Sequence, residues 1–260
     1  MALIRSFLTF LFSLYGFAVF LVMLLLMFPL VVLSSFFGRI RGGNMIYQIC
    51  RIWADIAFVL WGFRHRNIYE APHDKSRSYV FVFNHISYMD IPILMKAIRG
   101  QHIRVLGKAE LEKIPIFGFI YSHAAITVDR SDPAARARSV SLMMRYLRKK
   151  ISVMVAPEGT FNTPGKPLAP FFNGAFRIAI ETQTPIKPLL FLDAYDRLNP
   201  KSIFSLTPGK SRVVFLEEVP VAGLSMDDVE ELKMKVFRIM EEGLIRYKAP
   251  WITEPDNGRK

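Results

Sequence analysis

Tyr79-Val80-Phe81-Val82-Phe83-Asn84-His85-Ile86-Ser87-Tyr88-Met89-Asp90 is the stretch from which the fold can be read. Its first five residues form a short, continuous apolar run, the pattern of a strand buried on both faces. The turn after Phe83 leads into a predicted helix from Met89 to Ala97. Further strands are expected at Ile103–Leu106, Ala125–Val128, Ile151–Val155, Ile186–Leu192 and Arg212–Leu216. Between them lie helical segments, Pro133–Lys149 and Asn173–Glu181; the first has Asp132 as cap and proline at its first position. A last helix starts at Ser225, with Asp227 and Asp228 in its first turn and Val229, Leu232, Val236, Met240 and Leu244 at helical spacing. Alternation of this kind implies an α/β fold, a mostly parallel central sheet flanked by helices.

Upstream of the strand the chain changes character. No formal charge occurs from Ser6 to Gly38, and every residue from Phe17 to Phe28 is apolar. As a helix this run is about 50 Å long, whereas a bilayer core of about 30 Å needs only about 20 residues. It far exceeds the apolar core of a cleaved signal, and no small-x-small cleavage site follows, so a retained anchor is expected, with a possible kink at Pro29. Ile46–Phe63 is also apolar but carries Arg51 and Asp55 on one helical face, which suits an interfacial helix better than a second span. The expected organisation is a hydrophobic two-helix membrane element over residues 1–70 and a catalytic domain over 71–260. Arg39, Arg41, Arg51, Arg64 and Arg66 follow the apolar run, and only Arg5 precedes it, so the domain is expected on the cytoplasmic side of a membrane. Spanning helices and helices lying within one leaflet both fit this pattern.

Of 260 residues, 52% are hydrophobic and 22% charged, which excludes disordered and low-complexity classes. Cys50 is the only thiol, so no intramolecular disulfide or multi-cysteine metal site can form. The net charge of +12 divides into +4 over residues 1–70 and +8 over the rest. An anionic membrane, a phosphorylated substrate or nucleic acid would each suit such a charge, but no nucleic-acid module or basic stripe with interleaved aromatics is present. Arg145, Arg148, Lys149 and Lys150 end one predicted helix, where cations suit the helix dipole and could also meet an acidic carrier or anionic lipid.

His85 and Asp90 carry the chemistry. On one continuous helix, five residues turn through about 500° and leave the side chains about 140° apart, so they would not meet. With His85 in the turn and Asp90 in the first helical turn, the carboxylate can fold back onto the imidazole. That pair makes a general base with an orienting acid. Asn84-His85-x-Ser87-x-x-Asp90 at the end of an apolar strand resembles the first motif of the 1-acylglycerol-3-phosphate (lysophosphatidate) acyltransferases, a family of glycerolipid acyltransferases. Later blocks follow in that family's order: Lys108, Pro115 and Gly118 with Asp129-Arg130, then Pro157-Glu158-Gly159-Thr160, then Pro185-Ile186-Lys187-Pro188. The resemblance covers roughly residues 79 to 193.

What it implies is direct acyl transfer from an acyl thioester, of acyl carrier protein or coenzyme A, to the free hydroxyl of a lysophospholipid at a membrane. His85 would be the base and Asp90 its orienting acid. Lys108 and Arg130 would hold the acceptor phosphate, with Glu158, Gly159 and Thr160 lining the glycerol end. No metal and no cofactor are needed. One departure stands out: the third block of the family continues with Arg and Ser, and this chain has Phe161 and Asn162. Phe161 cannot replace a guanidinium. Either Lys108 and Arg130, with Lys166 or Arg177 as further candidates, hold the phosphate, or the acceptor is another lysolipid or an aminolipid. From a different class, a non-enzymatic adaptor on anionic membranes would explain the charge but not the ordered blocks.

Overall fold

A computed structural model of the protein describes residues 1–129, 131–162 and 164–252. Helix α1 (Ala2–Ser35) runs unbroken through Pro29, and a π-helical turn at Gly38–Gly42 reverses the chain into α2 (Gly43–Leu60). There follow β1 (Phe63–Tyr69), β2 (Val80–Phe83), α3 (Asp90–Ala97), β3 (Ile103–Lys108), α4 (Phe117–Ala124), β4 (Ala125–Val128), α5 (Pro133–Leu147), β5 (Ser152–Val155), α6 (Gly174–Glu181), β6 (Ile186–Phe191), α7 (Ala194–Arg197), β7 (Gly209–Phe215) and α8 (Val229–Arg246).

The strands form one sheet in the order β1-β7-β6-β2-β5-β3-β4. Every pairing is parallel except β6 with β7, which register antiparallel at Leu189 and Phe215. β2, β5 and β6 are buried at every residue, which is why β2 reads as an unbroken apolar run and β5 and β6 as runs broken only by Ser152 and Lys187 rather than as alternation. The core surrounds them: Phe81, Phe83, Phe176, Phe191 and Phe215 are among the largest fully buried side chains. The expected α/β architecture is therefore present.

Two details differ from the sequence reading. The sheet begins at Phe63, inside the segment assigned to the anchor. β1 alternates buried Phe63 with exposed Arg64 and Arg66, as an edge strand does, and those charges hide it beside an apolar helix. The division at residue 70 thus falls after the first strand. The second detail is α2. Asp55 does not face Arg51 alone but receives Lys96 (2.6 Å) and Arg99 from around α3, while Arg51 bonds Gln48. Tyr47, Ala57, Phe58 and Trp61 join the main core. The charges of α2 therefore make a seam to the domain, and among the described residues only Leu3–Ser35 is long and apolar enough to cross a membrane.

α1 is docked on the domain along one face. Ser13, Gly16, Met23, Val31 and Ser34 are buried at intervals of three, seven, eight and three residues. Leu206 N donates to Ser13 Oγ (3.0 Å), Trp61 Nε1 donates to the Gly16 carbonyl (3.1 Å), and Phe20 and Phe28 pack on Phe117 and Phe119 of α4. From Ser13 to Ser34 that is about 32 Å of helix. The opposite face exposes Phe7, Leu14, Phe17, Val22, Leu25 and Leu33.

Candidate active site

The residues singled out by sequence gather where the parallel strands end. His85 follows β2, Lys108 closes β3, Asp129 follows β4, and Glu158 follows β5. β2 is also where the chain order reverses, its neighbours being β5 on one side and β6 on the other. Open α/β sheets hold their ligands in the crevice outside such a switch point.

Asn84 anchors the turn. Its Nδ2 donates to the Phe191 carbonyl (3.1 Å) and its Oδ1 accepts from Phe191 N (2.8 Å), so a side chain continues the β2–β6 ladder one residue beyond the strand. His85 therefore leaves the sheet from a fixed point. Asp90 is the first residue of α3, fully buried, and its Oδ2 accepts from His85 Nδ1 (2.8 Å), Ile86 N (3.0 Å) and Ser87 N (3.1 Å). A carboxylate only accepts, so Nδ1 carries the ring proton and Nε2 presents a lone pair. The His85 side chain is 24% exposed, and Nε2 has no partner among the described residues. Asp90 Oδ1 is buried without a hydrogen-bond partner. The fold-back geometry expected for the pair is what the chain adopts.

Glu158 does not line the crevice as the resemblance implies. It is 2% exposed, and its two oxygens accept from His85 N and Ala169 N, each at 2.7 Å. Burial pushes its carboxyl up to about 8, against the pull of those two amides. Glu158 thus fixes the backbone of the histidine. Asn162 completes the clamp: its N donates to the His85 carbonyl (2.7 Å) and its Nδ2 to the carbonyls of Lys166 and Pro167. Gly159 has φ of +72°, a conformation that a side chain would strain, and it allows the sharp turn after β5. Thr160 is exposed.

Lys108 is exposed and has no ion-pair partner among the described residues. β5 lies between its strand and that of His85, so the two strand ends stand about 10 Å apart. Arg130 lies outside the described residues. Lys166 and Arg177 are exposed. The fourth block is structural: Lys187 is fully buried near the start of β6, at the far end of the sheet, and donates to the Pro72 carbonyl (3.3 Å). Ser87 is also buried, donating to the Leu198 carbonyl (2.5 Å) and accepting from Met89 N (3.0 Å), a turn-forming role. Phe161 packs edge-on against the His85 ring, with centroids 4.4 Å apart, and against Tyr88 at 4.8 Å. Asn84 and Asn162 stand in the motifs with no task that the sequence alone reveals; their side chains' double hydrogen bonds are visible only in three dimensions.

A sequence model of the family described as Acyltransferase matches residues 63–192, half of the chain. The chain belongs to the acyltransferase family. A match beginning at Phe63 agrees with the first strand of the sheet. The chain is 28% identical to an uncharacterized acyltransferase of Schizosaccharomyces pombe over 82% of its own length and 78% of that protein. It is 30% identical to human 1-acyl-sn-glycerol-3-phosphate acyltransferase beta over 71% of this chain and 65% of the human one. Its fold superposes on the crystal structure of the 1-acyl-sn-glycerophosphate (LPA) acyltransferase PlsC from Thermotoga maritima with a TM-score of 0.71. That match has 26% identity and covers 97% of this chain and all of the other. This acyltransferase is therefore an enzyme of the lysophosphatidate acyltransferase type, which sets aside the non-enzymatic adaptor.

Proposed function

We propose that the enzyme moves a fatty acyl group from an acyl thioester to the free hydroxyl of 1-acylglycerol-3-phosphate, giving phosphatidate and a free thiol. The carrying observation is the His85–Asp90 pair, with Nδ1 held at 2.8 Å and Nε2 open. In this reading His85 Nε2 takes the hydroxyl proton as the oxygen attacks the thioester carbonyl. Asp90 holds the imidazolium that forms, the carbon–sulfur bond breaks, and the departing sulfur recovers the proton from His85. Lys108, with Arg130, meets the acceptor phosphate. The donor is a thioester of acyl carrier protein or coenzyme A. Purified enzyme given acyl-coenzyme A and lysophosphatidate should release thiol and form phosphatidate; a His85→Ala variant with full turnover would overturn the mechanism.

Phe161 favours a second reading, in which the acceptor carries a different headgroup or is an aminolipid, because an aromatic ring stands against His85 where the family has a cation. An acceptor panel separates the two: strong preference for lysophosphatidate removes the second.

For the membrane we propose that α1 lies within one leaflet rather than across the bilayer. Its docked face holds the domain alongside some 20 residues of the helix, and only the opposite face is left for lipid. The excess of basic residues suits the anionic cytoplasmic surface.

A further inference from the structure

Between α7 and β7 the chain makes a loop, residues 198–208, whose tip is unlike the rest of the domain surface. Ile203 is 64% exposed and Phe204 45%, although both are large and apolar. Phe204 packs its ring on Phe10 of α1, with centroids 5.1 Å apart. Leu206 N donates to Ser13 Oγ, and Leu206 packs where any side chain at Gly16 would collide with it. Beside this contact an open groove of about 850 Å³ is lined by Ile4, Arg5, Leu8 and Phe12 of α1 and by Leu206 and Pro208 of the loop. From residue 198 to 210 the chain carries exposed Lys201 and Lys210 and no acidic residue, while Arg197 turns onto the carbonyls of Thr207 and Pro208. An apolar tip in a stretch that carries cations and no acid is the composition of a segment that sits at the headgroup layer.

We propose that the 198–208 loop is a second membrane-contact surface, whose occupant is the anionic phospholipid surface that meets α1. Ile203 and Phe204 insert beside the exposed face of α1, and Lys201, Lys210 and Arg5 meet lipid phosphates. The loop begins at Leu198, whose carbonyl accepts the Ser87 hydroxyl, so its base is tied to the His85 turn. This inference rests on the reading of α1 as a membrane helix; a second copy of the chain is the competing occupant.

The test reconstitutes the full chain, in a Cys50→Ala background, into phosphatidylglycerol and phosphatidylcholine vesicles containing nitroxide-labelled lipid. A fluorophore is placed in turn at Ile203→Cys, at Leu25→Cys on the exposed face of α1, and at Lys235→Cys on the exposed side of α8. The expected result is strong quenching at 203 and 25 and weak quenching at 235. Quenching at 25 with none at 203 overturns the proposal and leaves α1 in the membrane. Absence of quenching at both overturns the membrane reading as well. Concentration-dependent burial of the 203 label in lipid-free detergent, without nitroxide quenching in vesicles, assigns the surface to a second copy and also overturns it. As a second measurement, a folded Ile203→Asp, Phe204→Asp variant should lose about tenfold or more in binding to the same vesicles. Unchanged binding would count against the loop.

Discussion

The two halves of the crevice are built in opposite ways. Around His85 almost every polar atom is committed: Asp90 Oδ2 takes three donors, Glu158 takes two amides, and Asn84 and Asn162 fix the backbone on either side. Around Lys108 the side chain is exposed and unpaired among the described residues. A proton transfer needs its base held within a narrow geometry, and dense hydrogen bonding supplies that. A phosphate arriving on a mobile lipid is met adequately by a cation on a flexible stem, as lysine is. On the proposed function, the contrast makes reaction geometry and acceptor capture separable, so that each can be broken without the other.

The largest break is at the committed half. His85→Ala should lower turnover by about 10²- to 10⁴-fold with the acceptor KM little changed, read as thiol release. Asp90→Ala should lose comparable activity and also about 2–4 kcal/mol of stability in urea unfolding, because three donors lose one acceptor. Next comes Glu158. Replacing it by glutamine turns an acceptor into a donor facing a backbone N–H and should cost about 1–3 kcal/mol. Its effect on pH is distinctive. The folded carboxyl sits at about 8 and the unfolded one near 4.5, so the folded state holds a proton that the unfolded chain releases. That contribution is full below the unfolded value and lost as pH rises through about 8; Glu158→Gln should flatten this slope in unfolding curves taken from pH 5 to 9.

At the open half the effects are smaller and of another kind. Lys108→Ala should raise the lysophosphatidate KM about tenfold at low salt while leaving turnover nearly intact, and added salt should shrink the difference. Phe161→Arg sharpens the comparison most finely. It supplies a cation beside His85 and should shift preference toward lysophosphatidate over a zwitterionic lysolipid by about three- to tenfold, measured by competition between the two acceptors.

The committed half was also the more legible in sequence. His85 and Asp90 at five-residue spacing after an apolar strand could be read as a bent pair, since the helix angle excluded the straight one. Buried strands β2, β5 and β6 announced themselves because burial on both faces favours apolar side chains at nearly every position, Ser152 and Lys187 being the exceptions. β1 escaped because an edge strand alternates, and Arg64 and Arg66 looked like the margin of the anchor. The motif holding Glu158 records identity and order, not direction, and so points it at the substrate; only the fold turns its carboxylate toward His85 N. Phe161 was legible as a departure, but its contact with the ring of His85 was not.

The docking of α1 also sets a schedule for making the protein. The bond between Ser13 and Leu206 joins residues 193 apart in sequence. At roughly 5–20 residues per second, α1 leaves the ribosome about 10 to 40 s before the loop that covers its flank exists. Through that interval the flank that Leu206 covers is bare, while Trp61 and α4, made earlier, can already cover the rest of the docking face. In the proposed one-leaflet placement the bilayer shelters that flank, and the lipid that would later present the acceptor serves first as the helix's temporary partner.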